Sequence, residues 1–243
     1  MTAITPPPGP QWVRADVLYP ESDGEPMGET DFHIGAIIYL REALRYFLRD
    51  DPTAYVAANM LVYYDEGDPH AFKVPDVFVV KGIQPYDRRT YKLWAEQMAP
   101  CVVIEITSRS ARLEDTGTKR ALYEMLGVGE YYLFDPLDEY LRPRFQGLRL
   151  VRGRYEPMPL RRDGTLVSEA LGAVLRPDDQ RLRVVDPATG TVVPTLAEAL
   201  YLARVEAERA EVEAAHAHAA EAEAARLRDE LDRLRGQAGQ GTT

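Results

Sequence analysis

The sequence predicts an α/β fold in which a mixed central β-sheet is flanked by helices. Residues 101–107 form a nearly continuous apolar run, which is typical of a strand buried on both faces of a sheet. A helical pattern over 115–126 separates this run from a second apolar strand at 130–135. Such a strand–helix–strand unit with short links is expected to be parallel and right-handed. Residues 55–80 have the pattern of an antiparallel hairpin, so the sheet is mixed.

The remaining elements of this domain follow in order. Apolar residues at helical spacing predict a helix over 30–49, and Thr30 is a good N-cap for it. A second hairpin is expected over 144–160, followed by short strands and turns over 161–195. The Pro-rich start makes residues 1–24 an N-terminal arm.

The composition changes from Thr195, where Ala, Glu and Arg dominate. Apolar residues alternate four and three apart over 195–236, which predicts one long C-terminal helix with the narrow seam of a coiled coil. The seam is mostly alanine, so it buries little surface. The alternative is a lone solvated helix. Residues 237–243 are expected to be a disordered end.

Composition limits the cellular setting and the partners. The longest apolar stretches are far shorter than the roughly 18 residues of a membrane span. No signal-peptide pattern opens the chain, and the single cysteine, Cys101, suits a reducing compartment, so a cytoplasmic protein without membrane contact is expected.

Charge is unevenly distributed along the chain. The net charge is -10, which disfavours nonspecific nucleic-acid binding. However, seven arginines lie between residues 141 and 162, and Arg41, Arg45 and Arg49 share one helix face. These residues predict either a basic face or an ordinary solvated surface.

Two acidic residues lie in apolar strands and need an explanation. Asp76 follows Pro75, and Glu105 lies within the apolar run; burying such a carboxylate costs several kcal/mol unless it is paired. Lys119, on the following helix, can reach the same place. Two carboxylates and a lysine at strand ends are what a hard divalent cation and a developing phosphoryl charge require. For Asp76 alone, a bulge acid bonded to nearby backbone remains an alternative.

Other chemistries lack their motifs. The sequence has no His/Cys cluster with zinc spacing, no Gly-rich phosphate loop and no serine nucleophile elbow. His33 lies on the apolar stripe of the first helix, with Glu29 one turn before it. A functional role is open for both, but a buried hydrogen-bonded histidine and a helix-end acid are the favoured interpretations.

A set of motifs over roughly residues 25–185 resembles the Uma-type restriction endonucleases of bacteria, within the PD-(D/E)XK nuclease superfamily. The order and spacing of the motifs match together. They comprise Val74-Pro75-Asp76-Val77, Val103-Ile104-Glu105-Ile106, Ser108, Asp115, Lys119, Tyr123, Gly127-Val128, Glu130-Tyr131 and Asp135-Pro136.

The resemblance implies that residues 25–190 form a restriction-endonuclease-like domain. It assigns Asp76 and Glu105 as ligands of Mg²⁺, for which Mn²⁺ would substitute, and the main-chain carbonyl of Ile106 as a third ligand. Thr107 holds the position of the usual superfamily lysine, and Lys119 resembles the migrated form of that lysine. Glu29 would correspond to an acid on the first helix.

Two hypotheses follow. The first is a Mg²⁺-dependent DNA endonuclease that uses Asp76, Glu105 and Lys119, with Tyr123 packing beside Lys119. The second is a catalytically weak or inactive nucleic-acid-binding or assembly module, motivated by Thr107 and by the long seam. A homodimer is expected, formed through the C-terminal helix or through a sheet edge.

Overall fold

The computed structural model describes residues 17–22 and 30–240 of the chain. The described residues divide into two compact units, which meet in sequence between Val193 and Pro194. The first unit is the predicted mixed α/β domain and the second is a single long helix. No helix in the described part of the chain is long and apolar enough to cross a membrane.

The described residues contain helices and strands in the predicted order. The helices are α1 Asp31–Phe47, α2 Leu93–Glu96, α3 Arg120–Leu126 and α4 Leu196–Gln240, and a π-helical segment, Glu114–Lys119, leads directly into α3. The strands are β1 Tyr55–Ala58, β2 Val62–Tyr63, β3 Phe72–Lys73, β4 Val77–Val80, β5 Tyr91–Lys92, β6 Val102–Ile106, β7 Glu130–Phe134, β8 Phe145–Val151, β9 Arg154–Pro157, β10 Leu166–Ser168, β11 Ala173–Asp178 and β12 Arg181–Val185.

The central sheet has six strands in the order β1-β4-β6-β7-β8-β9. Strands β6 and β7 are parallel, and every other neighbouring pair is antiparallel, so the predicted mixed sheet and its parallel crossover are confirmed. Gly127 ends α3 in the left-handed conformation, with φ of 81°, as the Gly-Val C-cap predicts. Strands β10, β11 and β12 form a separate antiparallel sheet.

Each face of the central sheet carries its own apolar core. On one face, the buried stripe of α1, which includes Ile37, Leu40 and Leu44, packs with sheet residues such as Val79 and Ile104. The side chain of Thr30 accepts the N–H of His33 and caps α1, as predicted. The opposite face buries aromatic residues, and the side chain of Glu105 lies on this face, because Glu105 is two residues from Val103 and accepts the Tyr123 hydroxyl.

The predicted hairpin over 55–80 is present but is broken in the middle. Asn59 adopts φ of 46°, and its N–H donates to the carbonyls of Pro75 and Asp76, each at 3.2 Å. Because Pro75 has no N–H to give to a ladder, regular pairing stops there. Beyond the break, β2 and β3 form a small sheet with β5 instead. The break places Asp76 at the start of β4, outside the regular ladder.

A buried glutamate joins the central sheet to the β10 region. Glu130 is 3% exposed, and its carboxylate accepts hydrogen bonds from the hydroxyls of Tyr132 and Ser168 and from the main-chain N–H of Glu169. It also pairs with Arg149 at 3.1 Å. Several donors thus compensate the desolvation of this one carboxylate.

We expect Glu130→Ala to lower the free energy of unfolding by about 3–5 kcal/mol, because the variant leaves buried donors without their acceptor. Glu169→Ala is the matched control, since Glu169 is 73% exposed at its side chain and pairs with the same Arg149. It should cost less than about 1 kcal/mol. Urea unfolding of both variants measures the difference; equal losses would show that Glu130 does not hold the two sheets together.

Helix α4 begins at a capping box. The N–H of Glu198 donates to the Thr195 hydroxyl at 3.2 Å, and the N–H of Thr195 donates to the Glu198 carboxylate at 2.7 Å. The helix continues four residues beyond the predicted end, to Gln240. Nearly all of its described side chains are exposed, including Leu227 and Leu231 of the predicted seam.

Candidate active site

The strand register brings Asp76 and Glu105 together. Val77 pairs with Ile104 in the antiparallel β4–β6 ladder. Asp76, immediately before β4, therefore lies across from Glu105, the residue after Ile104. The N–H of Ile106 donates to Oδ2 of Asp76 at 2.6 Å. The N–H of Asp76 donates to Oε2 of Glu105 at 3.3 Å. The two carboxylates therefore share one site at the end of the sheet.

Lys119 reaches the same site from the end of the π-helical segment. Its Nζ lies 3.0 Å from Oε2 of Glu105 and 3.1 Å from Oδ1 of Asp115. Tyr123, one turn later, donates its hydroxyl to Oε1 of Glu105 at 3.0 Å and packs edge-on against Tyr131. Tyr123 is therefore a buried residue that packs and positions Glu105, in line with the prediction that it packs.

His33 joins the site from the first turn of α1. Its Nε2 lies 3.3 Å from Oδ1 of Asp76, and the two side chains are 7% and 14% exposed. The sequence favours a buried, hydrogen-bonded histidine. His33 is buried, and its partner is Asp76, one of the two carboxylates of the site. A signal was available, because His33 is a polar residue on an apolar stripe near a helix end.

The sequence places Asp115 among the family motif residues and gives it no role of its own. In the structure it is 1% exposed and belongs to the same cluster of charges. Thr107 is also buried; its N–H donates to the carbonyl of Phe134 at 2.8 Å. The residue two positions after Glu105 is thus a buried threonine beside the cluster. Glu29 lies outside the described residues.

The cluster contains three carboxyl groups and one lysine, and burial disfavours the charged form of two of the carboxyl groups. Burial raises the pKa of Glu105, and the nearby carboxylates of Asp76 and Asp115 raise it further against the effect of Lys119. Burial also raises the pKa of Asp115. For Lys119, burial opposes the charged form, but the surrounding carboxylates outweigh burial and raise its pKa, so the ammonium keeps its proton. Three carboxylates thus share one lysine.

This surplus of carboxyl groups fits a divalent cation. Among residues 17–22 and 30–240, no group of three or more His, Cys, Asp or Glu side chains is arranged to hold a metal ion by itself. The donors available to a cation are the carboxylates of Asp76 and Glu105, with main-chain oxygen and water completing the set. Mg²⁺ commonly binds in this way, through one or two carboxylates and several waters.

The sequence matches a family model described as "Uma2: Putative restriction endonuclease" over residues 12–193, which is more than half of the chain. The chain belongs to the Uma2 family. The matched span includes Asp76, Glu105 and Lys119, and it ends before α4. The resemblance inferred from the motifs is therefore confirmed.

One solved structure that matches this chain is described as a putative nuclease belonging to DUF820 from Anabaena variabilis ATCC 29413. It shares 13% sequence identity, covers 59% of this chain and 75% of its own chain, and superposes with a TM-score of 0.40. A search of the curated proteins finds no match to this sequence.

Proposed function

We propose that this Uma2-family protein is a Mg²⁺-dependent DNA endonuclease of the PD-(D/E)XK type that hydrolyses phosphodiester bonds. The observation that carries the proposal is the convergence of Asp76, Glu105 and Lys119 in one buried cluster that holds three carboxyl groups and one lysine. An enzyme has reason to retain such a cluster, because unbalanced buried charge opposes folding.

Asp76 and Glu105 would hold the metal ion, with the main-chain carbonyl of Ile106 as a third ligand. When bound, Mg²⁺ supplies positive charge to the phosphoryl oxygens and lowers the pKa of a bound water. Mn²⁺ is expected to substitute, because it accepts the same oxygen ligands. The main-chain N–H of Ile106 and the ring of His33 fix the orientation of the Asp76 carboxylate.

Lys119 acts in this proposal as a fixed positive charge. Because three carboxylates favour its protonated form, it is poorly suited to accept a proton from water. Its ammonium, held between Glu105 and Asp115, can donate hydrogen bonds to a water or to a phosphoryl oxygen. Asp115 and Tyr123 position Lys119 and Glu105, respectively, within the cluster.

Cleavage of supercoiled plasmid tests the proposed activity. With Mg²⁺ or Mn²⁺ the protein should convert the plasmid to nicked or linear forms, and EDTA should stop the conversion. A folded protein that cleaves with neither metal would contradict the proposal. If that protein still bound DNA, the non-catalytic binding module would become the better description.

The exposed seam of α4 supports a homodimer. Leu227 and Leu231 are 49% and 50% exposed, and a second copy of the helix would bury them. A two-fold dimer would also place two active sites on two DNA strands of opposite polarity. The alternative dimer contact is an edge of the central sheet.

We expect Leu227→Lys/Leu231→Lys to convert the dimer to a monomer, because the variant places like charges in the seam of both helices. Analytical ultracentrifugation of the full chain measures the change. Glu223→Lys/Asp229→Lys, which adds two lysines to the same region of α4 outside the seam, is the control and should leave the mass unchanged. A dimer that survives the seam variant would place the contact elsewhere.

A further inference from the structure

A groove of about 440 Å³ runs along strand β1, at one edge of the central sheet. One wall is the C-terminal half of α1 and its exit, from which Arg41, Arg45 and Arg49 line the groove. These residues are four apart, so successive arginines are separated by about 6 Å along the helix axis. Strand β1 also lines the groove, and its Val56 and Ala57 are 8% and 4% exposed.

The groove is positively charged in a chain with a net charge of -10. Its lining contains four arginines and two aspartates, Asp51 and Asp87. The fourth arginine, Arg88, is committed to the opposite wall, because it binds Glu96 through Nε at 2.6 Å and through Nη2 at 2.9 Å. The cations left to meet a ligand are therefore the three arginines of the α1 side.

The carboxylates paired with these arginines are exposed. Arg41 contacts Glu42, and Arg49 lies 3.5 Å from Asp50, and the two carboxylates are 60% and 86% exposed. Exposed ion pairs of this kind contribute little to stability, so the arginines can exchange these carboxylates for another anion. Arg49 also donates from Nη1 to the carbonyl of Tyr46 at 2.8 Å, with its guanidinium over the Tyr46 ring, which leaves its other N–H groups for a ligand. A guanidinium forms stronger, bidentate hydrogen bonds with phosphate.

The other arginine-rich region includes Arg144 and Arg149, which main-chain or buried groups hold, while its Arg142–Asp138 pair is exposed like the pairs of α1. Four of the seven arginines between residues 141 and 162 bind protein groups. Arg142 pairs with Asp138, Arg149 with Glu130 and Glu169, and Arg154 with Glu124, while Arg144 donates to the carbonyls of Asp135, Pro136 and Asp179. The predicted basic face is therefore better represented by the β1 groove.

The groove leads to the candidate active site. Ala58 lines it, and the next residue, Asn59, donates its N–H to the carbonyl of Asp76. On the other wall, α1 begins beside Asp76 with His33 and reaches Arg41 eight residues later, which is about 12 Å along the axis. The arginines thus follow a line that starts near the carboxylates.

We propose that the β1 groove binds the sugar–phosphate backbone of the DNA strand whose phosphodiester is cleaved at Asp76 and Glu105. The proposal rests on the proposed function, which supplies the reacting phosphate. The three guanidiniums contact phosphates on one side of that position. This contact is independent of base sequence, because phosphates carry no sequence information directly.

The test is binding of a fluorescein-labelled 25-base-pair DNA duplex, measured by anisotropy in EDTA over a range of salt concentrations. Arg41→Gln/Arg45→Gln/Arg49→Gln should weaken binding by about tenfold or more and reduce the salt slope by about 2–3, because each lost phosphate contact contributes about 0.9. Arg152→Gln/Arg161→Gln/Arg162→Gln removes the same charge from exposed arginines elsewhere. This control should keep the affinity within about twofold. Thermal unfolding confirms that both variants are folded.

Equal losses of DNA affinity in the two triple variants would show that only net charge matters and would overturn the proposal. Unchanged DNA binding by the Arg41/Arg45/Arg49 variant would also overturn it. The plasmid assay separates this result from the proposed activity. If DNA binding depends on the three arginines but the protein never cleaves plasmid, the groove proposal stands and the nuclease proposal is rejected. If the Arg41/Arg45/Arg49 variant cleaves DNA with Mg²⁺ at an unchanged KM, the nuclease proposal stands and the groove proposal is rejected.

Discussion

Asp76→Asn or Glu105→Gln should reduce Mg²⁺-dependent DNA cleavage by at least about 100-fold, since a metal ion supplies several kcal/mol of transition-state stabilisation. Each substitution keeps the size of the side chain and removes one anionic ligand. The loss should appear in kcat/KM at the Mg²⁺ concentration that just saturates the wild type, and higher Mg²⁺ should recover the part that comes from weaker metal binding.

Glu114→Gln is the matched control for this loss. Glu114 immediately precedes Asp115 but binds Lys73 at 2.7 Å, away from the Glu105 carboxylate. Its substitution should leave cleavage within about twofold of wild type, as expected for an exposed ion pair. Plasmid nicking rates for the three variants test the assignment. Wild-type rates in Asp76→Asn or Glu105→Gln would remove these residues from the active site.

Lys119→Met should strongly destabilise the fold. The substitution leaves Glu105 and Asp115, which are 0% and 1% exposed, without their shared counter-charge. Removing one partner of a buried ion pair costs about 3–5 kcal/mol. In the absence of metal, the variant should therefore unfold at a clearly lower urea concentration than the wild type.

Divalent metal should partly reverse this destabilisation. Without the lysine, the carboxylates attract a cation more strongly, so Mg²⁺ should stabilise Lys119→Met more than it stabilises wild type. Lys73→Met is the control, because Lys73 and Glu114 form a half-exposed pair, and its cost should be below about 1 kcal/mol. A Lys119→Met protein as stable as Lys73→Met would show that the buried cluster does not depend on Lys119.

The sequence predicts the central elements well because each carries a strong local pattern. The apolar run of β6, the Gly127 cap after α3 and the Thr30 cap before α1 depend on neighbours in sequence. The proximity of Asp76 to Glu105 also follows from the sequence, because the strand after Asp76 and the strand that contains Glu105 are expected in one sheet.

Features that depend on distant contacts could not be predicted in the same way. The break at Asn59 requires the carbonyls of Pro75 and Asp76 as acceptors, which are 16 and 17 residues away in the sequence. The π-helical form of Glu114–Lys119 leaves no clear mark in the local pattern. The position of His33 beside Asp76 depends on how α1 packs on the sheet.

Mn²⁺ binding, measured by electron paramagnetic resonance of the free ion, tests the proposed site most directly, because it requires neither substrate nor turnover. The wild-type protein should bind Mn²⁺ at a site that Mg²⁺ competes for, and Asp76→Asn/Glu105→Gln should lose that site. Glu114→Gln should bind as wild type does. A wild-type protein that binds no Mn²⁺, or a double variant that binds it equally well, would contradict a metal site at these two carboxylates.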